Sequence, residues 1–196
     1  FKKYKNNDFK SAEQSCYKIL SIDPNHFDSI SLLATIFFSK KDFNKSKQLM
    51  LQAVKIKPKD LSALNNLGTT FRELQEPKEA INIYKRVLEI DANHTKANYN
   101  IGLAFYDLRE LKLSKTYLQK TVKIQNNFAL AFFSLGNVLV DLKEFNEALI
   151  CYQKTIELNP NIVSAHNNLG LLYRDMNDFN KAIVCYKKTI EIKPNH

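Results

Sequence analysis

The sequence predicts an all-α fold, an α-solenoid of antiparallel helical hairpins, and three observations favour it. First, each of the four glycines follows the previous one by 34 residues. Second, four of the five prolines keep the same period. Third, apolar residues within each period recur at intervals of three and four residues, which is the spacing of one helix face. A fixed period of roughly 20–50 residues is typical of solenoids, in which each unit buries its apolar face against its neighbours.

Glycines and prolines mark fixed columns of the repeat when columns are counted from Leu61. Column 8 holds Gly68, Gly102, Gly136 and Gly170, and column 32 holds Pro24, Pro58, Pro160 and Pro194. Proline pushes the preceding residue out of the α region, so we expect it to end the second helix of each hairpin. Column 20 holds only alanine or serine. We expect these small residues to face the glycines, so that the two helices approach closely.

The period divides the chain into one partial unit and five complete units. The partial unit is 1–26, and the complete units are 27–60, 61–94, 95–128, 129–162 and 163–196. Unit 95–128 is the most degenerate, because Asn98, Ser114 and Asn126 replace residues that fit the pattern better. We expect one solenoid domain. The chain has no initiator Met and no polar capping helix, so we expect it to be a fragment of a longer protein, with self-association through uncapped ends left open.

The repeat resembles a known family. The order Leu-Gly-x-x-aromatic, then Ala, an aromatic residue and Pro is similar to the tetratricopeptide repeat. Residues 165–196, AHNNLGLLYRDMNDFNKAIVCYKKTIEIKPNH, carry it most completely, and the resemblance covers the whole chain. It implies a right-handed superhelix whose first helices line a concave ligand groove. Column 4 departs from the family, because the tryptophan frequent there is replaced by Ile, Leu, Asn, Phe or His.

The resemblance implies that columns 2, 5, 6, 9, 12 and 13 line this groove. Column 6 reads Leu32, Asn66, Asn100, Ser134 and Asn168. An asparagine amide both donates and accepts hydrogen bonds, so a ladder of them can hold an extended peptide backbone. A similar ladder is a feature of the tetratricopeptide arm of O-linked N-acetylglucosamine transferases. The alternative is that asparagine is simply frequent in this column and in this chain.

Apolar residues in the same columns add to the predicted groove. An apolar patch includes Leu130 and Val140 beside the aromatic residues of units 95–128 and 129–162, and contiguous exposed apolar surface usually marks a binding site. The alternative is that these residues pack between neighbouring helices. The predicted peptide- or partner-binding groove comprises Asn66, Tyr99, Asn100, Leu103, Tyr106, Phe133, Asn137 and Asn168.

Charge argues against a nucleic-acid partner, although the formal net charge is +9. The first helices of the complete units carry four bases and five acids, and column 13 is acidic from the third unit onward. The positive excess therefore lies on second helices and turns, which is typical of a solvated lysine-rich face. The same distribution argues against a membrane surface as partner, and the longest weakly polar stretch is too short to span a bilayer.

Several kinds of site are excluded by spacing. The histidines occur about once per unit and do not converge, which argues against a metal site. Cys151 and Cys185 occupy the same column, and stacked helices lie too far apart for a disulfide, which favours a reducing, intracellular and cytoplasmic location. Column 5 has no lysine, so the two-carboxylate clamp of chaperone-binding tetratricopeptide domains is rejected. We predict no catalytic residues, no metal and no cofactor.

The predicted function is therefore a protein–protein interaction scaffold, not an enzyme, that binds a peptide or a partner protein in the concave groove. The alternative is the substrate-recognition arm of a larger enzyme, such as a glycosyltransferase, whose catalytic part lies outside this chain. Both interpretations use the same groove and differ in what adjoins the repeats.

Overall fold

A computed structural model describes residues 8–193, and it confirms the all-α prediction. The described residues form eleven helices and no strand. The helices are α1 (Asp8–Ile22), α2 (Phe27–Ser39), α3 (Phe43–Ile56), α4 (Leu61–Glu73), α5 (Pro77–Ile90), α6 (Thr95–Asp107), α7 (Leu111–Ile124), α8 (Ala129–Asp141), α9 (Phe145–Leu158), α10 (Val163–Asp175) and α11 (Phe179–Ile192). Every 34-residue window from residue 27 onward begins with a 13-residue helix and continues with a 14-residue helix.

We call the even-numbered helices A helices and the odd-numbered helices B helices. The chain forms two compact units, residues 1–104 and 105–196, and each is described by itself. In unit 1 the hairpins α2–α3 and α4–α5 pack internally, and α3 packs on α4. In unit 2 the hairpins α8–α9 and α10–α11 pack internally, α7 packs on α8, and α9 packs on α10. Each unit therefore has a layer of A helices and a layer of B helices.

Each B helix ends in column 30, whether or not a proline follows. Helix α5 ends at Ile90 and α7 ends at Ile124, although Ala92 and Asn126 stand where other units have proline. The residues after these two helices are extended, with φ of −137° and −132°. Proline reinforces this helix end but is not required for it, because the chain leaves the α region at the same column without it.

The turn from A helix to B helix contains a left-handed residue in column 15. The residues with positive φ, all between 60° and 63°, are Lys41, Gln75, Arg109, Lys143 and Asn177. At the end of α8 the amide of Lys143 donates to Val140 O (2.9 Å) and the amide of Glu144 donates to Leu139 O (2.8 Å). These two bonds form a Schellman motif, which satisfies the last carbonyls of the helix. None of the five positions is glycine, although glycine adopts this conformation at the lowest cost.

Three of the four glycines of column 8 face a tyrosine of column 24, so their nearest neighbours are not the small residues of column 20 that were expected. A Cβ placed on Gly68 would lie 2.5 Å from Tyr84 Cε1, and one on Gly136 would lie 2.6 Å from Tyr152 Cε1. The same pairing, also at 2.6 Å, joins Gly170 to Tyr186. The glycine therefore accommodates an aromatic ring laid across the A helix of its own hairpin, because any side chain would collide with that ring.

Column 20 contributes to the contact between hairpins. Ser46 on α3 is fully buried, and its Oγ lies 3.4 Å from Thr70 Oγ1 on α4, the next A helix. The small residue allows the B helix of one hairpin to approach the A helix of the following hairpin. The small size of the column 20 residue was correctly predicted as a packing requirement, but the helix that it packs against belongs to the neighbouring repeat.

The histidines within the described residues have structural contacts. Buried His166 lies 2.9 Å, through Nε2, from Pro160 O, and Asn98 in the same column donates to Ala92 O (3.1 Å). Both bonds tie column 4 to the carbonyl of column 32. Nδ1 of His26 accepts from the Ser29 amide, and Nδ1 of His94 accepts from the Ala97 amide. These two side chains cap A helices, as Asx residues do elsewhere. His196 lies outside the described residues.

Gly136→Ala is expected to lower the free energy of unfolding by about 1–3 kcal/mol, because overpacking against Tyr152 outweighs the roughly 1 kcal/mol that alanine gains as a helix former. Urea unfolding measures this loss. The matched control places the same change in a Tyr152→Met background, which copies the Ala34 and Met50 combination of the second repeat. In that background Gly136→Ala should not lower the free energy of unfolding. A single variant as stable as the wild type would contradict the steric explanation.

Lys143→Gly is expected to raise the free energy of unfolding by about 0.5–1 kcal/mol. The left-handed conformation costs a residue with a Cβ about 1–2 kcal/mol, and part of that gain is offset by the greater freedom of glycine in the unfolded chain. Lys143→Ala, which keeps the Cβ, is the control for loss of the lysine itself. If the glycine and alanine variants are equally stable, the left-handed conformation at this position carries no such free-energy cost.

Candidate functional site

The predicted groove residues lie on A helices and differ in burial. In unit 1, Asn66 on α4 is exposed, whereas Tyr99, Asn100 and Leu103 on α6 are half-buried. In unit 2, the half-buried residues are Tyr106 on α6, Phe133 and Asn137 on α8, and Asn168 on α10.

In unit 1, Asn100 forms hydrogen bonds to the preceding repeat. Its Nδ2 donates to Asn65 Oδ1 (3.2 Å) and, at 3.5 Å, to Thr69 Oγ1. Thr69 Oγ1 also accepts from the hydroxyl of Tyr84 (3.2 Å), the tyrosine that packs on Gly68. The amide of column 6 therefore belongs to a short network that joins two repeats.

Unit 2 repeats this network with an asparagine at its centre. Asn137 Oδ1 accepts from the hydroxyl of Tyr152 (2.9 Å) and from Nδ2 of Asn168 (3.0 Å). The ring of Phe133 packs at a tilt against that of Tyr152, with 6.0 Å between centroids. The same three positions thus recur together, namely a tyrosine in column 24, a residue in column 9 and the asparagine in column 6 of the next repeat. We define this arrangement as the Tyr–Asn relay, and sequence reasoning missed it because its members lie in three separate columns.

Three of the four predicted residues of unit 2 line one cavity of about 380 Å³, which we call the A-layer cavity. It is lined by Tyr106, Asn137, Val140, Asp141, Tyr152, Asn168, Leu171, Leu172, Arg174 and Asp175. Tyr106, Asn137 and Asn168 were predicted as site residues, and Phe133 is not among the lining residues. Leu171 and Arg174 were not predicted individually, although they occupy columns 9 and 12, which the family resemblance assigns to the groove.

Two carboxylates in the A-layer cavity are paired with guanidinium groups. Arg109 Nη1 lies 2.8 Å from Asp141 Oδ2, and Arg174 Nη2 lies 2.8 Å from Asp175 Oδ1. Burial, followed by a hydrogen bond to Asp141, raises the pKa of Tyr106. The hydroxyl of Tyr106 therefore stays protonated at neutral pH. The cavity offers aromatic, aliphatic, amide and charge-paired groups together.

Thiols and other metal-binding groups do not form a site within residues 8–193. Groups of three His, Cys, Asp or Glu side chains placed to hold a metal ion do not occur there. Cys16, Cys151 and Cys185 are buried and unpaired in disulfides. Burial raises the pKa of Cys151 to about 11, so at neutral pH it is a thiol and not the reactive thiolate.

Over the described residues, each helix is too short or too polar to pass through a bilayer.

Family comparisons identify tetratricopeptide repeats in this chain. Models described as Tetratricopeptide repeat match residues 95–128 and 163–196, and one described as TPR repeat matches residues 136–174. A model described as Anaphase-promoting complex, cyclosome, subunit 3 matches residues 5–87. The first three matches confirm the repeat type predicted from the glycine, alanine and aromatic columns. A comparison with curated protein sequences finds no match.

Solved structures share the fold. The crystal structure of MamA is 25% identical, with a TM-score of 0.76, and the match covers 83% of this chain and 95% of MamA. YrrB, described as a TPR protein with an unusual peptide-binding site, is 22% identical with a TM-score of 0.72, covering 94% and 95%. PilF of Pseudomonas aeruginosa is 20% identical with a TM-score of 0.78, covering 84% and 75%. The resemblance to glycosyltransferase arms stays a prediction.

The titration of the Tyr152 hydroxyl can be measured, and it reports on the Tyr–Asn relay. Burial is the main cause that raises its pKa from 10.0 to about 12, while the neighbouring Asn168 amide lowers it. The unfolded chain loses this proton at lower pH than the folded chain, so Tyr152 stabilises the fold below pH 10. That contribution is lost as pH rises from 10.0 to about 12.

We therefore expect the free energy of unfolding of wild type to fall over this interval by up to about 1.4 kcal/mol per pH unit from Tyr152 alone. Tyr152→Phe should show a shallower decline and should lack one late-titrating phenol in ultraviolet absorbance. Tyr17→Phe, which removes an exposed phenol, is the control. An unchanged late titration in Tyr152→Phe would contradict the assignment.

Proposed function

We propose that this chain is a protein-interaction scaffold that binds an extended peptide segment of a partner protein, with the A-layer cavity of unit 2 as its anchoring site. The observation that carries the proposal is that Tyr106, Asn137 and Asn168, each predicted from the repeat columns, line one cavity of about 380 Å³. A cavity of this size suits one or two side chains and the backbone between them.

The side chains that line the cavity suit an extended backbone. An extended peptide presents unpaired N–H and C=O groups that need hydrogen-bonding partners. In the Tyr–Asn relay, Asn137 uses its Oδ1 and Asn168 uses one Nδ2 proton. The Nδ2 group of Asn137 and the Oδ1 of Asn168 are not used in these bonds, and they supply a donor and an acceptor for the peptide.

The apolar lining supplies the second part of recognition. Tyr106, Val140 and Leu171 are half-buried and line the same cavity. Partly exposed aromatic and aliphatic side chains beside amides form the kind of surface in which an aromatic anchor contributes most of the binding energy. Asp141 and Asp175 are already paired with arginines, so we expect binding to depend little on ionic strength.

Among proteins of this fold, YrrB is described as having an unusual peptide-binding site. At 22% identity this structural match supports the fold alone, and peptide binding is proposed for this chain because of its own cavity. Asn66, Tyr99, Asn100 and Leu103 of unit 1 are proposed to extend the same recognition mode, because the relay around Asn100 repeats that of unit 2. The enzyme-arm alternative requires a catalytic domain beside the repeats in the parent gene.

The test uses short random peptides displayed on phage and selected on the whole chain, followed by titration of the recovered peptides. Tyr106→Ala combined with Asn168→Ala should weaken their binding at least roughly thirtyfold, because an aromatic anchor contributes about 2 kcal/mol or more. Lys187→Glu, an exposed change on α11, is the matched control and should leave the affinity unchanged. Thermal unfolding confirms that each variant is folded.

The proposal fails if selection yields no binder. It also fails if the recovered peptides bind the double variant as tightly as wild type. If replacing exposed lysines with glutamate abolishes binding, and added salt weakens binding steeply, the chain instead binds polyanions through a basic surface.

A further inference from the structure

A second cavity lies on the B-helix layer of unit 2, and we call it the B-layer groove. Its volume is about 620 Å³, its walls are α7 and α9, and its floor is α8. It shares no lining residue with the A-layer cavity. The lining residues that matter for its chemistry are Lys120, Val122, Lys123, Leu135, Leu139 and Ile150.

The B-layer groove has an apolar strip along its centre. Leu135 and Leu139 are one helical turn apart on α8, and both are buried at its floor. Ile150 stands on the wall and is 63% exposed. In the four preceding repeats its column is polar, with Gln14, Gln48, Asn82 and Thr116, and in the following repeat it is Val184. An exposed isoleucine beside an apolar floor, in a column that is polar in the four preceding repeats, indicates a surface that is shielded from water when occupied.

One wall of the B-layer groove is basic. Helix α7 contains four lysines and no acidic residue, and Lys120 and Lys123 line the groove. On the other wall Glu147 pairs with Lys115 at 3.4 Å, and Lys115 also pairs with Glu144. Among residues 8–193, Lys120 and Lys123 have no carboxylate within ion-pair distance. The groove therefore attracts negative charge at its α7 side.

The surroundings favour a helical ligand over an extended one. The walls and floor are helices whose backbone groups are bonded internally, so the groove has no backbone edge to pair with a strand. An extended peptide over Leu139, Ile150 and Val122 would leave its own N–H and C=O groups facing aliphatic carbon. An amphipathic helix satisfies those groups itself and can place a ridge of apolar side chains between α7 and α9.

We propose that the B-layer groove of unit 2 docks an acidic amphipathic helix of a partner protein. Apolar side chains of that helix contact Leu139 and Ile150, and its flanking carboxylates pair with Lys120 and Lys123. This surface is separate from the A-layer cavity, so it gives the chain two binding faces with different preferences for peptide conformation.

The experiment uses a display library of helical peptides of about 18 residues, long enough to hold helix in water. One face carries Leu, Ile, Phe and Met, and the flanking positions carry Glu, Asp, Lys and Arg in equal numbers. Selection on the whole chain should enrich carboxylates at the flanks. The recovered helices should bind Ile150→Asp and the double variant Lys120→Glu with Lys123→Glu at least about tenfold more weakly than wild type.

Two matched controls separate this site from general surface effects. Lys187→Glu reverses an exposed lysine on α11 that does not line the groove, and it should leave helix binding unchanged. Tyr106→Ala alters the A-layer cavity and should also leave it unchanged. Each altered side chain in the groove variants is exposed or half-buried, and thermal unfolding checks that the variants remain folded.

Three outcomes would overturn the proposal. The first is a library that yields no helix whose binding depends on Ile150. The second is enrichment of cations at the flanks of the recovered helices. The third is binding that depends on Lys120 and Lys123 but not on Ile150 and that single-stranded RNA displaces, which would identify α7 as a polyanion-binding face.

Discussion

The tyrosine ring of column 24 packed on the glycine of column 8 is the contact on which the geometry of these hairpins depends. It fixes the distance between the A and B helices of three repeats, because a Cβ on the glycine would overlap the ring. In two of them the ring also carries a hydroxyl to column 9, where the next repeat's asparagine arrives. One tyrosine side chain therefore packs within its own hairpin through its ring and is linked to the next hairpin through its hydroxyl.

The fold could be predicted because its determinants are periodic in the sequence. A column of glycines, a column of small residues and helical spacing of apolar residues are sufficient to specify hairpins, and the helix ends agree to the residue from one repeat to the next. The partner of each column could not be predicted in the same way. Ala148 and Tyr152 are both plausible partners of Gly136 in the sequence, and only the relative rotation of α8 and α9 places the tyrosine nearest to the glycine.

The candidate site was predictable in part for the same reason. The resemblance to tetratricopeptide repeats implies which columns line the groove, so Tyr106, Asn137 and Asn168 could be proposed from the sequence. The bonds among them could not, because Asn168 meets Asn137 only after two hairpins have stacked. The basic wall and the apolar floor of the B-layer groove come from two different helices, α7 and α8, and no single column contains both properties.

The Tyr–Asn relay has a mechanical consequence. The amide of Asn168 closes the joint between two hairpins and also faces the A-layer cavity. A peptide bound in the A-layer cavity as proposed would clamp this joint if it bonds to the Asn168 amide, and would loosen the joint if it draws that amide away from Asn137. Occupancy of the proposed site would then change how easily unit 2 bends.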